Sequence, residues 1–199
     1  MFINEGSVVN TGTVHFGGDA IFTLDEAGLQ NLGGDITGDG AFIVESEGEI
    51  RNVSGTISAR EVALKSATEI NNLRFHRLNE MSAGGTREWD TDTGRAGVIL
   101  GSESLSLDSA GDINIVGSRL DGGEITLDAD GNIVIGTVEV KEGREGNYHG
   151  GYLSESSVRH LGSEINATLG LIANAANDLS LIGSDLNSDG DVQISAGND

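Results

Sequence analysis

The chain has 199 residues, with 31 glycines and no proline or cysteine. Its 11 Lys and Arg residues against 32 Asp and Glu residues give a net charge of −21, which predicts no nucleic-acid partner because a phosphate backbone would be repelled. The lack of cysteine excludes a disulfide framework and a cysteine nucleophile, and residues 1–5 do not begin a signal peptide.

An asparagine recurs about every twenty residues in the first part of the chain. Asn10, Asn31, Asn52 and Asn72 each stand two positions after an apolar residue. Between them, apolar and polar residues alternate in short runs that are bounded by Gly, Asp and Ser. This pattern indicates short strands with one buried face, joined by tight corners.

Two all-β architectures fit short strands with glycine corners. An antiparallel sandwich would use the Asp-Gly pairs as hairpin turns. A solenoid would stack equivalent residues of successive coils, so that the four asparagines form a ladder along its axis. The equal period favours the solenoid, and we predict a right-handed parallel β-helix of about seven coils with about 20 residues per coil.

The same period returns in the second half of the chain. Ile113 and Ile115 are followed twenty residues later by Ile133 and Ile135. Two stretches align with no coil, and we interpret them as insertions. The predicted organisation is coils with the asparagine ladder over 1–73, an insertion at 74–97, coils over 98–140, an insertion at 141–160 and coils over 161–199.

The ordered strings Ala110–Ser118, His160–Ala167 and Ala175–Leu186 resemble the haemagglutinin repeats of filamentous haemagglutinin-like exoproteins. The resemblance is good over 101–199 and looser over 1–73. It implies a stalk that is secreted or exposed on a bacterial cell surface, exported through an outer-membrane β-barrel transporter by two-partner secretion. The parent would be an adhesin or a toxin of contact-dependent growth inhibition.

The sequence departs from a whole member of that family. The proline-containing motifs of the secretion domain cannot be present, because the chain has no proline, and we expect this stretch to hold no toxin domain. We therefore expect an internal fragment or a remnant reading frame. Because a β-helix exposes strand edges at both ends, we also expect end-to-end self-association.

Candidate metal and catalytic motifs are weak. Asp185-x-Asn187-x-Asp189-Gly190 matches the first half of a calcium loop, but its twelfth residue is Ala196, which cannot supply the bidentate ligand. The four histidines lack metal-ligand spacing, although His149 and His160 share an insertion with serines and glutamates. We predict no metal, no cofactor and no catalytic residue.

The insertions hold half of the aromatic residues and seven of the eleven basic ones. Aromatic and arginine side chains are enriched in binding hot spots, and loops on a rigid scaffold commonly carry recognition. The candidate binding residues are Phe75, Arg77, Trp89, Tyr148 and Tyr152. The alternative is that these aromatics fold back and cover the wall of the helix.

Three functions follow from this reading. The first is a structural stalk that supports adhesion or toxin presentation without catalysis. The second is a module that binds a host-cell or neighbour-cell receptor, or a glycan, through the insertions. The third is a β-helix polysaccharide hydrolase, which would need two carboxylates held in a cleft.

Overall fold

A computed structural model of the chain describes residues 2–4, 6–148 and 150–198, with residues 2, 4 and 148 described by their backbone alone. The strands in these ranges, numbered in chain order, are β1 (Phe2–Asn4), β2 (Val8–Asn10), β3 (Thr13–Phe16), β4 (Ala20–Leu24), β5 (Leu29–Leu32), β6 (Asp35–Gly38), β7 (Ala41–Ser46), β8 (Ile50–Val53), β9 (Thr56–Ser66), β10 (Ile70–Leu73), β11 (His76–Ala83), β12 (Thr86–Thr93), β13 (Val98–Ser109), β14 (Ile113–Val116), β15 (Arg119–Ala129), β16 (Ile133–Gly136), β17 (Val138–Tyr148), β18 (Gly151–Leu161), β19 (Glu164–Ala175), β20 (Leu179–Leu181), β21 (Asp185–Ser188) and β22 (Asp191–Ala196). No helix occurs in these ranges, so none is present there that could cross a membrane.

Two parallel sheets form the wall of the molecule. Sheet A follows the order β1-β4-β7-β9-β13-β15-β19-β21, with β3, β6 and β22 alongside, and sheet B follows the order β2-β5-β8-β10-β14-β16-β20. Each coil contributes one strand to sheet B and the next stretch of chain to sheet A. Leu29 lies opposite Ile50, which lies opposite Ile70, so equivalent residues stack directly. The prediction of an all-β, parallel β-helix is confirmed.

In the middle coils the sheet A stretch is one bent strand, whereas the first coils have two separate strands there, β3 and β4 or β6 and β7. The strands β9, β13, β15 and β19 run for 11 or 12 residues each. A register shift between Gly101 and Ser104 marks the bend where β13 meets its neighbours. Such a bulge bends a strand without ending its ladder, so the chain turns the corner while it stays paired.

The core is a set of apolar columns that run along the axis. In one column Ile36, Ile57, Ile99, Leu120 and Ile165 occupy successive coils in register, and all five are buried. Burying a side chain of this size contributes about 1.5–3 kcal/mol. Each coil therefore gains its stability by covering the apolar face of the coil before it.

The asparagine column provides hydrogen bonds for buried polar groups at the corner between sheets B and A. The Nδ2 groups of Asn10, Asn31 and Asn52 each donate to the Oδ1 of the next asparagine, at 2.8, 2.8 and 2.9 Å. Asn31 Nδ2 also donates to the corner carbonyl of Gly34 at 3.0 Å. Buried amides cost free energy unless they are hydrogen-bonded, and this ladder satisfies them.

Later coils satisfy the same corner with a different pair of residues. The position after Asn72 in the column is Ile115, and the ladder ends there. The corner residue changes at the same point, from Gly97 to Ser118, and Ser163 follows in the next hairpin-bearing coil. Ser163 Oγ donates to backbone carbonyls within 2.7–2.9 Å. A corner residue that lies beside an asparagine has to be glycine, because a Cβ at Gly97 would lie 2.5 Å from Asn72 Oδ1.

We predict that these two solutions can be exchanged only as a pair. Asn72→Ile removes the donor to Gly97 O, and Gly97→Ser pushes a Cβ into Asn72, so each change alone should cost about 1–3 kcal/mol. The double variant should cost about 0.5–3 kcal/mol less than the sum, as a double-mutant cycle in urea unfolding would show. The reverse exchange, I115N with S118G, is the matched control, and strict additivity in both cycles would contradict the pairing.

Candidate functional site

Two hairpins leave the wall at the same corner, between sheet B and sheet A. The first, β11–β12, lies between β10 and β13, and the second, β17–β18, lies between β16 and β19. The coil between them turns the same corner directly through Gly117 and Ser118. The hairpins therefore emerge two coils apart along the axis.

The two hairpins join edge to edge into one four-stranded antiparallel sheet, which we call the hairpin sheet. Its order is β11-β12-β17-β18, and β12 pairs with β17 over Thr86–Asp90 and Glu142–Gly146. Strands in a sheet and stacked coils share one spacing, about 4.8 Å, so a two-stranded hairpin is as wide as two coils are high. Hairpins two coils apart consequently meet at hydrogen-bonding distance.

The second hairpin begins earlier than the insertion expected from the sequence, at Val138 instead of residue 141. Val138 and Val140 are buried at the base of the hairpin, and Val138 packs near the corner glycine Gly117. Their alternation with Glu139 continues the pattern of the preceding coil. The sequence pattern therefore does not mark the point at which the chain leaves the wall.

Two arginines fasten the first hairpin to the coils. Arg74 donates to the carbonyls of Gly117 and Gly94 at 2.9 and 2.8 Å, and burial lowers its pKa, with a smaller contribution from Arg159. Arg95 donates to the carbonyl of Ser54 at 2.7 Å and pairs with Asp35.

Arg95 therefore reaches back over two preceding corners. Hydrogen bonds from Thr56 and Arg95 lower the pKa of Asp35, which is partly buried.

The seam between the hairpins, where β12 meets β17, is built around Trp89. The indole lies over Gly143, so closely that a Cβ at this position would overlap its six-membered ring. The guanidinium of Arg87 stands 5.4 Å from the Trp89 ring, within the range of a cation–π contact. Thr91 Oγ1 donates to Lys141 O at 3.1 Å and accepts from Lys141 N at 2.9 Å, which extends the seam by one position.

The two faces of the hairpin sheet differ in chemistry. Antiparallel partners share a face, so the register places Leu78, Trp89, Val158 and Tyr152 on one side, the tryptophan face. The other side, the acidic face, carries a shallow groove of about 810 Å³. This groove is lined in part by Met81, Glu88, Asp90, Glu142, Arg144 and Glu155.

Among the described residues no group of three or more His, Asp or Glu side chains has the geometry to hold a metal ion, and this includes the acidic groove. The calcium-like motif is part of the coil, and its asparagine bonds to the coil before it. Asn187 Nδ2 donates to Asn166 Oδ1 of the preceding coil at 3.1 Å.

The predicted binding residues do not converge on one point. Trp89 is half-buried at the centre of the tryptophan face, and Tyr152 lies near its tip with 69 % of its surface exposed. Arg77 lies on the acidic face, 3.4 Å from Asp92. Phe75 is at the base, where its N–H donates to Ser54 Oγ. Tyr148 ends β17, and its side chain lies outside the described residues, as does the whole of His149.

Sequence reasoning missed the pairing of the two insertions and therefore the seam and the acidic groove. A signal was present, since Leu73 and Gly136 occupy equivalent positions in coils two steps apart. Two hairpins that leave the wall at equivalent positions of coils two steps apart are expected to lie side by side and pair along their edges. The serines and histidine considered for catalysis are spread along β18, with Ser156 and Ser157 on opposite faces.

Comparison with known proteins identifies the repeat. Residues 4–149 match the model of a family described as "Hemagglutinin repeat". The chain is 32 % identical over 145 residues, 65 % of its length, to "Toxin CdiA" of Escherichia coli. It is 30 % identical over 182 residues, 80 % of its length, to "tRNA nuclease CdiA" of E. coli O6:K15:H31.

A third relative is "16S rRNA endonuclease CdiA" of Enterobacter cloacae, 30 % identical over 117 residues, 58 % of the chain. The chain spans only 4–6 % of the length of these three relatives. No solved structure matches the chain.

We predict that Gly143→Val displaces the Trp89 indole, because the added side chain occupies its place. Trp89 is the single tryptophan of the chain, so its fluorescence reports on the seam alone. The emission should shift to longer wavelength, and the hairpin sheet should lose about 1–3 kcal/mol of local stability. Ser156→Val, which places a valine on the same face one strand further on, is the control, and an equal red shift there would contradict the packing described.

Proposed function

The chain belongs to the haemagglutinin-repeat family of filamentous haemagglutinin-like exoproteins, and from this premise we propose that it is a rigid stalk segment supporting cell adhesion or toxin presentation. The match over residues 4–149, on a continuous β-helix, carries the proposal. The proposal includes no catalysis by this chain. The nuclease activities named for its relatives are those of much longer proteins.

The β-helix suits a load-bearing spacer for a mechanical reason. Its strands lie across the axis, so tension along the axis is shared by all hydrogen bonds between two neighbouring coils at once. The buried asparagine ladder adds side-chain bonds in the same direction through the first coils. A spacer of this kind resists bending because each coil is held by its neighbours over sheets A and B and over the apolar columns.

The net charge and the family together suggest where the protein acts. A net charge of −21 disfavours sideways association between rods through long-range repulsion. The family consists of secreted or cell-surface exoproteins. We therefore propose display outside the cell, export of the parent through an outer-membrane β-barrel transporter, and a receptor on a host or neighbouring cell as the eventual partner.

Fractionation of source cells tests the stalk proposal. An antibody raised against residues 98–199 should detect a protein that is protease-accessible on intact cells, because a stalk must lie outside. A periplasmic protein probed in parallel should stay protected and serves as the control for cell integrity. Detection only in the cytoplasm, with full protection from protease, would rule the proposal out.

The hairpin sheet supports a second candidate, a receptor- or glycan-binding module. It projects from the wall with both faces in solvent, and it exposes apolar side chains near its tips and edges. Met81 is 65 % exposed on the acidic face, and Val158 is 55 % exposed on the tryptophan face. Exposed apolar and aromatic groups on a rigid projection are the features of a recognition surface.

Removing one hairpin at a time separates the two candidates. Deleting residues 137–161 leaves Gly136-Gly162-Ser163-Glu164, which reproduces the hairpin-free corner Val116-Gly117-Ser118-Arg119. Replacing residues 74–96 by one glycine likewise reproduces the corner at Gly33-Gly34. Loss of cell binding with unchanged circular dichroism would favour recognition, and unchanged binding would favour the spacer.

A further inference from the structure

The hairpin sheet presents a long outer edge at its last strand. Within the described ranges β18 (Gly151–Leu161) pairs with β17 alone, so its other edge has no strand beside it over eleven residues. Nine of these eleven residues are exposed. The outer edge at the opposite side of the sheet, that of β11, has only eight residues. A long exposed edge is a template for pairing with another chain.

The β18 edge lacks the charge that dominates the rest of the molecule. It contains one carboxylate, Glu155, and one guanidinium, Arg159, so its formal charge is zero, whereas the whole chain carries −21. Edge strands that avoid pairing commonly carry several charged side chains. The acidic wall therefore repels a second copy of this chain, but β18 does not.

The strand is complementary to itself in an antiparallel pair. Opposite residues of such a pair point their backbone groups toward each other, so a strand that meets its own copy does so about a residue on a two-fold axis. With Ser156 on this axis all eleven residues pair, because Gly151 then lies opposite Leu161 of the second copy.

This register brings together two exposed side chains that are apart in one copy. Tyr152 and Val158 lie six positions apart on the tryptophan face, with 69 % and 55 % of their surfaces exposed. In the pair, Tyr152 lies diagonally across from Val158 of the second copy, which is within reach of an aromatic side chain. The two-fold axis produces this contact twice.

The neighbouring registers are less favourable. An axis at Glu155 would place this carboxylate opposite itself, and like charges in that position are destabilising. An axis at Ser157 would carry Gly151 of each copy beyond Leu161 of the other, toward its wall, and only residues 153–161 would pair. The register about Ser156 avoids both problems.

The antiparallel arrangement also keeps the two acidic walls apart. The base of each hairpin lies beside the tip of the other, so the two β-helices stand at opposite ends of the paired strands. Eleven residues of antiparallel strand span about 37 Å. Charges are screened over about 8 Å at physiological ionic strength, so repulsion between the walls is weak at this separation.

The coils exclude antiparallel pairing of β18 with β11 of a second copy. That pairing would place both walls on one side of the sheet, with β10 of the second copy two coils beyond β16 of the first. The coil of β20 in the first copy and the coil of β8 in the second would then occupy the same place. Among the outer edges of two hairpin sheets, a second β18 is therefore the antiparallel partner that fits.

We propose that the outer edge of β18 binds a second copy of this chain, antiparallel about Ser156, and joins two hairpin sheets into one sheet of eight strands. The contact is isologous, so it closes at two copies. It depends on the hairpin sheet and is independent of the stalk proposal, because it is tested on the isolated chain. In a stalk it would connect two β-helices side by side at a fixed distance.

Oxidative cross-linking of the full chain locates the axis. The chain has no cysteine, so Ser156→Cys introduces a single thiol. Opposite residues of antiparallel strands have Cα atoms about 4.5–5.5 Å apart, which suits a disulfide. Diamide should therefore convert S156C to a species of twice the 20.6 kDa chain mass on a non-reducing gel.

Ser154→Cys, on the same face of the same strand, is the matched control for cross-linking. It should stay monomeric, because the two copies of this residue would lie about 14 Å apart along the strands. Cross-linking of S154C as readily as S156C would overturn the proposed register.

Sedimentation velocity tests the contact without a covalent bond. Ser156→Lys and Ser156→Asp each place two like charges opposite one another, so each should weaken dimerisation by about fivefold or more. An equimolar mixture of the two variants should restore the dimer, because opposite charges then face each other. Ser82→Asp, at an exposed serine on the same face of β11, should leave dimerisation unchanged.

Three results would overturn the proposal. The first is a wild-type chain that stays monomeric at millimolar concentration. The second is self-association of S156D as strong as that of the wild type, which would place the contact elsewhere, for example at the ends of the β-helix. The third is a mixture of S156K and S156D that dimerises no better than either variant alone.

Discussion

The spacing between hydrogen-bonded strands, about 4.8 Å, is the constraint on which the whole structure depends. It fixes the rise of each coil, and it therefore fixes which side chains stack. Apolar residues must recur in register, as Ile36, Ile57 and Ile99 do, because any slip of one position would turn the column outward. The hairpin sheet obeys the same spacing, and this is why two separate insertions become one sheet.

The second constraint is that the buried polar groups at the corner between sheets B and A must be hydrogen-bonded. The chain meets it in two ways, with an interior asparagine beside a corner glycine in the first coils and an interior isoleucine beside a corner serine in the later ones. Asn72 and Gly97 make the last pair of the first kind, and Ile115 and Ser118 make the first pair of the second. The interior residue and the corner residue thus act as one unit, which explains why both change at the same coil.

The repeat in the sequence was sufficient to predict the coils. It did not predict the contact between the two hairpins, which depends on how far apart their coils lie. Alternating apolar residues and the spacing from Asn10 to Asn72 were sufficient for the parallel β-helix, because each coil repeats the same local rule. The pairing of β12 with β17 was not predicted, since it follows from the exit points Leu73 and Gly136 in three dimensions. Val138 and Val140 continue the pattern of the wall into the hairpin, so the boundary at residue 141 was too late.

The register of the seam also orders the events of folding. Contacts between coils that carry no hairpin join residues about twenty positions apart, and short-range closure of this kind is fast. The seam joins Thr86 to Gly146, sixty positions apart, across a coil that must first be in place to set the height of the second hairpin. A chain that appears from its N-terminus would therefore complete β11–β12 as a lone hairpin, with its inner edge open, until β14, β15 and β16 have stacked. The edge of β12 is thus exposed for as long as about fifty residues take to emerge, which makes the first hairpin the segment most open to pairing with another chain during synthesis or export.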